Sequence, residues 1–230
     1  MKMSLKKSTV QEHLLKTLQP HLHPQWRGQL QQQSPWQIYE KRAAKHEFLR
    51  CMFPMDALIW LGRVHQSGQQ KYSKQFRRVY DWLQRPLLPA RCAAGIFLPG
   101  GYARSIANIK SAPFIVVESD DLLGRSPLTS SEREANKAWS YALIQYLVEA
   151  WGLSLRAVID TGNKSLHAWF DRPNQHTLNC IIHLAESHHI DKQILLYGHA
   201  APLRMPGCIH EKTKQPAELL YLKSYSQITH

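Results

Sequence analysis

Residues 114–120 read Phe-Ile-Val-Val-Glu-Ser-Asp. An apolar run this short fits nothing but a buried strand, so the chain must build a sheet around it. Alternate residues of a strand point the same way, which puts Glu118 and Asp120 on one face at its end. Two such carboxylates can share a divalent cation, because magnesium and manganese take oxygen ligands. An acidic turn that merely closes the strand accounts for the same residues, and the neighbouring Asp121 fits it.

The flanking sequence supplies helices and further strands. Thr129-Ser130-Ser131-Glu132 matches a capping box. Ala135, Trp139, Ala142, Leu143, Tyr146, Leu147 and Ala150 continue at helical spacing up to Gly152, a natural stop. Leu155 to Ile159 and Ser165 to Phe170 read as two strands joined by a glycine-bearing turn, which makes a hairpin. A helix over Thr177 to His188, a strand over Glu218 to Leu222 and a short strand over Ala94 to Leu98 are also expected, and no internal repeat is present. The fold class is therefore α+β, a mostly antiparallel sheet flanked by helices.

Upstream, residues 1–35 are basic and Gln-rich and read as a peripheral segment with one short helix from Val10 to Leu18. A helix is also expected between Pro35 and Leu49, and a helix turn or strand from Ala57 to Leu61. From Gln66 to Arg85, Tyr72, Phe76, Val79, Tyr80 and Leu83 recur at helical spacing among Lys71, Lys74, Arg77, Arg78 and Arg85. That is the pattern of an amphipathic helix with a solvated basic face, or of a groove for a phosphate backbone.

Lys and Arg total 29 against 17 Asp and Glu, a formal charge of +12. A polyanionic partner is expected, nucleic acid or a phosphorylated small molecule. No segment approaches the roughly 20 apolar residues of a membrane span. The N-terminal Met-Lys-Met-Ser-Leu-Lys-Lys lacks the apolar stretch of a secretory signal, so no membrane association and a cytoplasmic location are expected. The four cysteines stand singly, and Cys208 with His210 and His199 lacks the paired spacing of a zinc site, so no zinc is expected.

Asp160-Thr161-Gly162-Asn163-Lys164-Ser165-Leu166-His167 gathers a turn, an amine, a hydroxyl and an imidazole within eight residues. Amides of a tight turn can form an anion nest, Lys164 adds a point charge, and Ser165 and His167 share a strand face, a set that suits a triphosphate. The same residues also describe an ordinary hairpin with a solvated lysine and a core histidine. Leu203-Arg204-Met205-Pro206-Gly207 then puts an arginine before a rigid turn, where its fork geometry would suit phosphate.

In this order the pieces resemble the archaeo-eukaryotic primase superfamily, in particular the primase-polymerases of bacterial plasmids, phages and other mobile elements. Phe114 to Asp120 resembles its acid-x-acid strand and Ser165-Leu166-His167 its small-x-His strand. Asp160 to Trp169 and Arg204 to Gly207 resemble the extended forms of the mobile-element branch. The resemblance covers about residues 90–210, and more faintly the region from Phe53 to Trp82.

It implies one catalytic domain over residues 36–230, with an N-terminal lobe of about 36–113, a metal- and nucleotide-binding lobe of about 114–230 and a cleft between them. It implies a nucleotidyltransferase that makes or extends primers on single-stranded DNA from NTPs or dNTPs, in replication of a mobile element. Glu118 and Asp120 would hold two magnesium or manganese ions with a third acid, for which Asp191 fits best and Asp160 is the fallback. His167 would bind the nucleotide phosphates with Ser165, Lys164 and Arg204, while Lys71, Lys74, Arg77 and Arg78 would contact DNA. The first acid is Glu where the superfamily usually has Asp, and no helicase domain is present, so a separate replicative helicase or initiator is the expected partner. A non-catalytic DNA-binding initiator on the same fold and a metal-dependent nuclease are the competing readings.

Overall fold

The computed structural model describes residues 11–36, 43–63, 72–101, 103–185 and 187–224. The strand at 114–117 lies at one edge of an antiparallel sheet. This strand, β6 (Phe114–Val117), pairs with β8 (Leu166–Asp171), which pairs with β7 (Leu155–Asp160) and through it with β10 (Glu218–Leu222). The register Phe114↔Asp171, Ile115↔Phe170, Val116↔Trp169 and Val117↔Ala168 fixes which side chains share a face. Phe114, Val116, Trp169 and Ile159 enter one apolar cluster, and Ile115, Val117, Ala168 and Phe170 enter the other. All four residues of β6 are buried, as expected of a strand covered on both faces.

The second cluster is closed by helices. α5 (Ser130–Trp151) starts at the expected capping box: Thr129 Oγ1 accepts from the Glu132 amide, and the Glu132 carboxylate accepts from the Thr129 amide. It ends at Gly152, whose φ of 63° is the left-handed conformation that favours glycine. α6 (Gln175–Leu184) packs on the same side and is shorter than the expected 177–188 at its C-terminal end.

The N-terminal segment is not peripheral among its described residues, which corrects the sequence expectation. A helix at residues 11–18 (α1) and α2 (Trp26–Gln33) bury Leu14, Leu18, Trp26 and Leu30 against α5 and the sheet. Four apolar side chains at helical spacing outweigh the polar composition around them, because packing and not average polarity fixes where a helix sits. Arg27 adds ion pairs to Asp160 at 2.7 Å and Glu218 at 3.1 Å.

The other face of the sheet meets α3 (Ala44–Met52) and a second antiparallel sheet of order β2-β1-β3-β9. Its strands are β1 (Leu58–Gly62), β2 (Phe76–Arg78), β3 (Arg91–Cys92) and β9 (Leu203–Arg204). A small ribbon, β4 (Ile96–Phe97) with β5 (Ile109–Ser111), lies beside it. The single basic amphipathic helix expected over 66–85 is not formed by the described part of that stretch. A 3-10 turn (Tyr72–Gln75), β2 and the short helix α4 (Val79–Leu83) replace it. Phe76 lies opposite Trp60 in the β1–β2 register and meets the Phe97 ring edge-on at 5.0 Å, so sheet pairing wins over the helical spacing. No helix among the described residues is long and apolar enough to cross a membrane.

Candidate functional site

β6 ends with Val117 opposite Ala168, and Glu118, the next residue, comes to lie beside His167. Its carboxylate is 3.2 Å from His167 Nε2 and also accepts from Ser165 Oγ. Ser119 points away and is buried, which leaves Asp120 on the same side as Glu118, 2.9 Å from Lys164 Nζ. The acid pair and Ser165, His167 and Lys164 are therefore brought together as the sequence suggested. Two amides of the turn are engaged internally: the Thr161 amide donates to the Ser165 carbonyl and the Gly162 amide to Asp160 Oδ1.

Asp160 faces the opposite way. It stands opposite Leu166, in the helix-side layer, where it pairs with Arg27 and, at 3.0 Å, with Lys137 of α5. That removes it as an alternative third acid. Its role is to hold the turn that carries Lys164 and Ser165. The turn also depends on Gly162, at φ 75°, where a Cβ would come within 2.7 Å of the Gln215 carbonyl oxygen.

Asn136 was not singled out from sequence. It lies fully buried on α5, donates to the carbonyls of Ser119 at 3.1 Å and Lys164 at 2.8 Å, and accepts from the Leu122 amide at 2.9 Å. One amide side chain thus ties the loop carrying Glu118 and Asp120 to the turn carrying Lys164 and Ser165. The available signal was its place on the apolar stripe of α5, in helical phase with Ser140, Leu143 and Leu147.

Asp191 caps α7 (Lys192–Tyr197), accepting from the amides of Gln193 at 2.7 Å and Ile194 at 3.0 Å. Its own amide donates to the Glu118 carbonyl oxygen at 2.8 Å. With Asp120, Lys164 and His189 it lines a cavity of about 490 Å³, which has neither Glu118 nor His167 among its described lining residues. Among the described residues no group of three or more His, Cys, Asp or Glu is arranged to hold a metal ion.

A second cavity, of about 190 Å³, joins the two sheets. Glu118, Asp120, Ser165 and His167 line one wall, and Arg91 and Arg204 of the second sheet line the other. Arg204 is buried, with Nη2 3.1 Å from Glu211, and Arg91 reaches the other oxygen of the same carboxylate at 3.2 Å. The two guanidinium groups thus already grip an anion of this chain, much as they would grip a phosphate. Arg91 is the second residue missed from sequence, where it stood without a motif.

The charges in this cavity are unevenly held. Burial works to raise the Glu118 pKa, but the His167 charge and the bonds from His167 and Ser165 outweigh it and hold the group at about 2. Asp120 is raised, first by burial and then by the Glu118 charge beside it. Two like charges crowded at a cavity mouth are what a divalent cation relieves, and both ligands are hard oxygens, so the donor set fits magnesium or manganese.

The expected DNA contacts lie elsewhere. Lys74, Arg77 and Arg78 stand on the 3-10 turn and β2, away from the acid pair, and Lys71 lies outside the described residues. No protein-family model, no curated protein and no solved structure matches this chain.

Proposed function

We propose that the chain is a DNA-directed nucleotidyltransferase, a primase or primase-polymerase of the archaeo-eukaryotic type that acts on single-stranded DNA in replication of a mobile element. The observation that carries this reading is the meeting of Glu118, Asp120, Ser165 and His167 with Arg91 and Arg204 on one cavity. Acids on one wall and cations on the other suit a nucleoside triphosphate whose phosphates span the gap.

In the reaction, the 3′-hydroxyl of a primer or first nucleotide gives up its proton to solvent as its oxygen bonds to the α-phosphorus of the incoming nucleotide. The bond to the bridging oxygen breaks, and pyrophosphate leaves with the electron pair. Glu118 and Asp120 would hold magnesium or manganese, with Asp191, which lines the neighbouring cavity with Asp120, the third acid of this reading, and the metal supplies charge neutralisation and activation of the hydroxyl when bound. Arg204 and Arg91 exchange Glu211 for phosphate oxygens. Ser165 Oγ–H and His167 Nε2–H, which the Glu118 carboxylate engages in the free protein, donate to the triphosphate when it enters. His167 Nδ1 is buried without a partner, so the ring is held by its neighbours and presents Nε2 alone to the cavity. Asn136 keeps the two loops in register, and unwinding would fall to a separate helicase or initiator.

The test is incubation with single-stranded template, labelled nucleotides and magnesium or manganese, with and without primer. Template-matched extension supports the reading. Shortened DNA would point to a nuclease, and DNA binding without incorporation under either metal to a non-catalytic initiator.

A further inference from the structure

A third cavity, of about 370 Å³, opens between the end of β1, the 3-10 turn and the segment after α4. Arg63, Lys74 and Arg85 line it, together with Trp82 and Leu87, and no Asp or Glu is among its described lining residues. Arg77 and Arg85 lie over the Trp82 ring at 5.6 and 5.4 Å, so the buried indole acts as a fixed platform for two guanidinium groups. Its Nε1–H is buried without a hydrogen-bond partner, a costly arrangement unless water or a ligand reaches it.

These cations differ from four arginines elsewhere in the molecule. Arg27, Arg91, Arg156 and Arg204 each hold a carboxylate. Among the described residues, Arg63, Lys74, Arg77, Arg78 and Arg85 form no ion pair. Three of these cations, Arg63, Lys74 and Arg85, line one concavity and repel one another there, and an anion from outside relieves that.

Position ties this cavity to the one described above. Gly62 stands opposite Arg91, and Arg91 opposite Arg204, in neighbouring strands. Residues 62, 91 and 204 therefore lie side by side, spanning roughly 10 Å at the usual strand spacing. Arg63 follows Gly62 directly in the chain, at the β1 end of that row. A strand whose nucleotide is being copied at the acid pair would meet this row next.

We propose that the Arg63–Lys74–Arg85 cavity holds a backbone phosphate of the single-stranded DNA template and sets where that strand enters. Trp82 is the one aromatic residue among its described lining residues, and that ring is buried under Arg77 and Arg85. The contact is thus to phosphate and sugar and carries no sequence preference. Leu87, 85% exposed, offers an apolar edge to the deoxyribose. This rests on the proposed function only in taking single-stranded DNA as the template.

The experiment is fluorescence anisotropy of a labelled oligothymidylate, titrated with protein over a series of salt concentrations. Arg63→Ala/Arg85→Ala is expected to flatten the slope of log affinity against log salt by about 0.7, the value for one phosphate contact on a single strand. Arg63→Gln/Lys74→Gln should do the same, and it serves if the first pair fails to fold. Arg63→Lys/Arg85→Lys should retain the slope. Lys16→Ala/Arg133→Ala removes the same charge from the helical layer and should leave the slope unchanged. An unchanged slope in both cavity variants, with wild-type circular dichroism, overturns the proposal, and so does an equal flattening by Lys16→Ala/Arg133→Ala. A flattened slope in a protein that incorporates no nucleotide leaves the DNA site standing and removes the transferase. Incorporation with an unchanged slope does the reverse.

Discussion

The amide of Asp191 donates to the carbonyl oxygen of Glu118 at 2.8 Å, so the start of α7 and the acid-bearing loop after β6 are fixed to each other. The Asp191 carboxylate also caps that helix. Asn caps a helix about as well as Asp, so Asp191→Asn separates the two roles. Incorporation is expected to fall roughly 10–100-fold, with a higher metal requirement and an unchanged Tm. Full activity in Asp191→Asn would reduce Asp191 to a capping residue.

Asn136 satisfies three buried backbone groups from two loops. Asn136→Ala leaves them without partners at a cost of about 3 kcal/mol. Thermal unfolding followed by circular dichroism should show Tm lower by roughly 6–12 °C for a chain of this size. A change of under a degree would mean that the loops hold their positions without it.

Much of this layout was legible because it is local. β6, the cap of α5, the hairpin at Gly162 and the strand Glu218–Leu222 each carry their signal within a few residues. The strand alternation that paired Glu118 with Asp120 and Ser165 with His167 is local too. What could not be read was pairing over long separations. Arg91 becomes a site residue only because β3 lies beside β9, and Arg27 becomes an ion-pair partner only because Asp160 awaits it 133 positions later. The basic stretch misled for the same reason, since the strand opposite Phe76 lies outside any local window.

Glu211 bridges Arg91 and Arg204. A bond from its own backbone amide is the largest influence holding its pKa at about 2, and the bond and charge of Arg204 and the charge of Arg91 add to it. Because it must yield to a triphosphate, Glu211→Ala should bind a non-hydrolysable nucleotide several-fold more tightly, consistent with an exposed pair worth about 1 kcal/mol or less. Arg204→Lys keeps the charge but loses the fork and should bind roughly tenfold more weakly. Calorimetric titration reads both, and tighter binding by Arg204→Lys would contradict the assignment.

His188 stacks on Tyr146 with ring centroids 6.0 Å apart. Burial lowers its pKa below the ordinary 6.5; the hydrogen bond to the Leu184 carbonyl opposes this, and the charges of His13 and His189 add to the lowering. A histidine with a depressed folded pKa contributes stability that is full above 6.5 and is lost as pH falls through that value toward the folded pKa. The urea midpoint should therefore drop between pH 7.5 and 5.5, and His188→Gln should flatten that drop. Parallel profiles for the two proteins would show that His188 does not couple folding to pH.

The most direct measurement is the rate of nucleotide incorporation on a primed single-stranded template by the wild type beside Glu118→Ala/Asp120→Ala, both checked for native circular dichroism. The expected result is template-matched extension by the wild type and none above background by the double variant. Extension at the wild-type rate by the double variant would contradict the central claim.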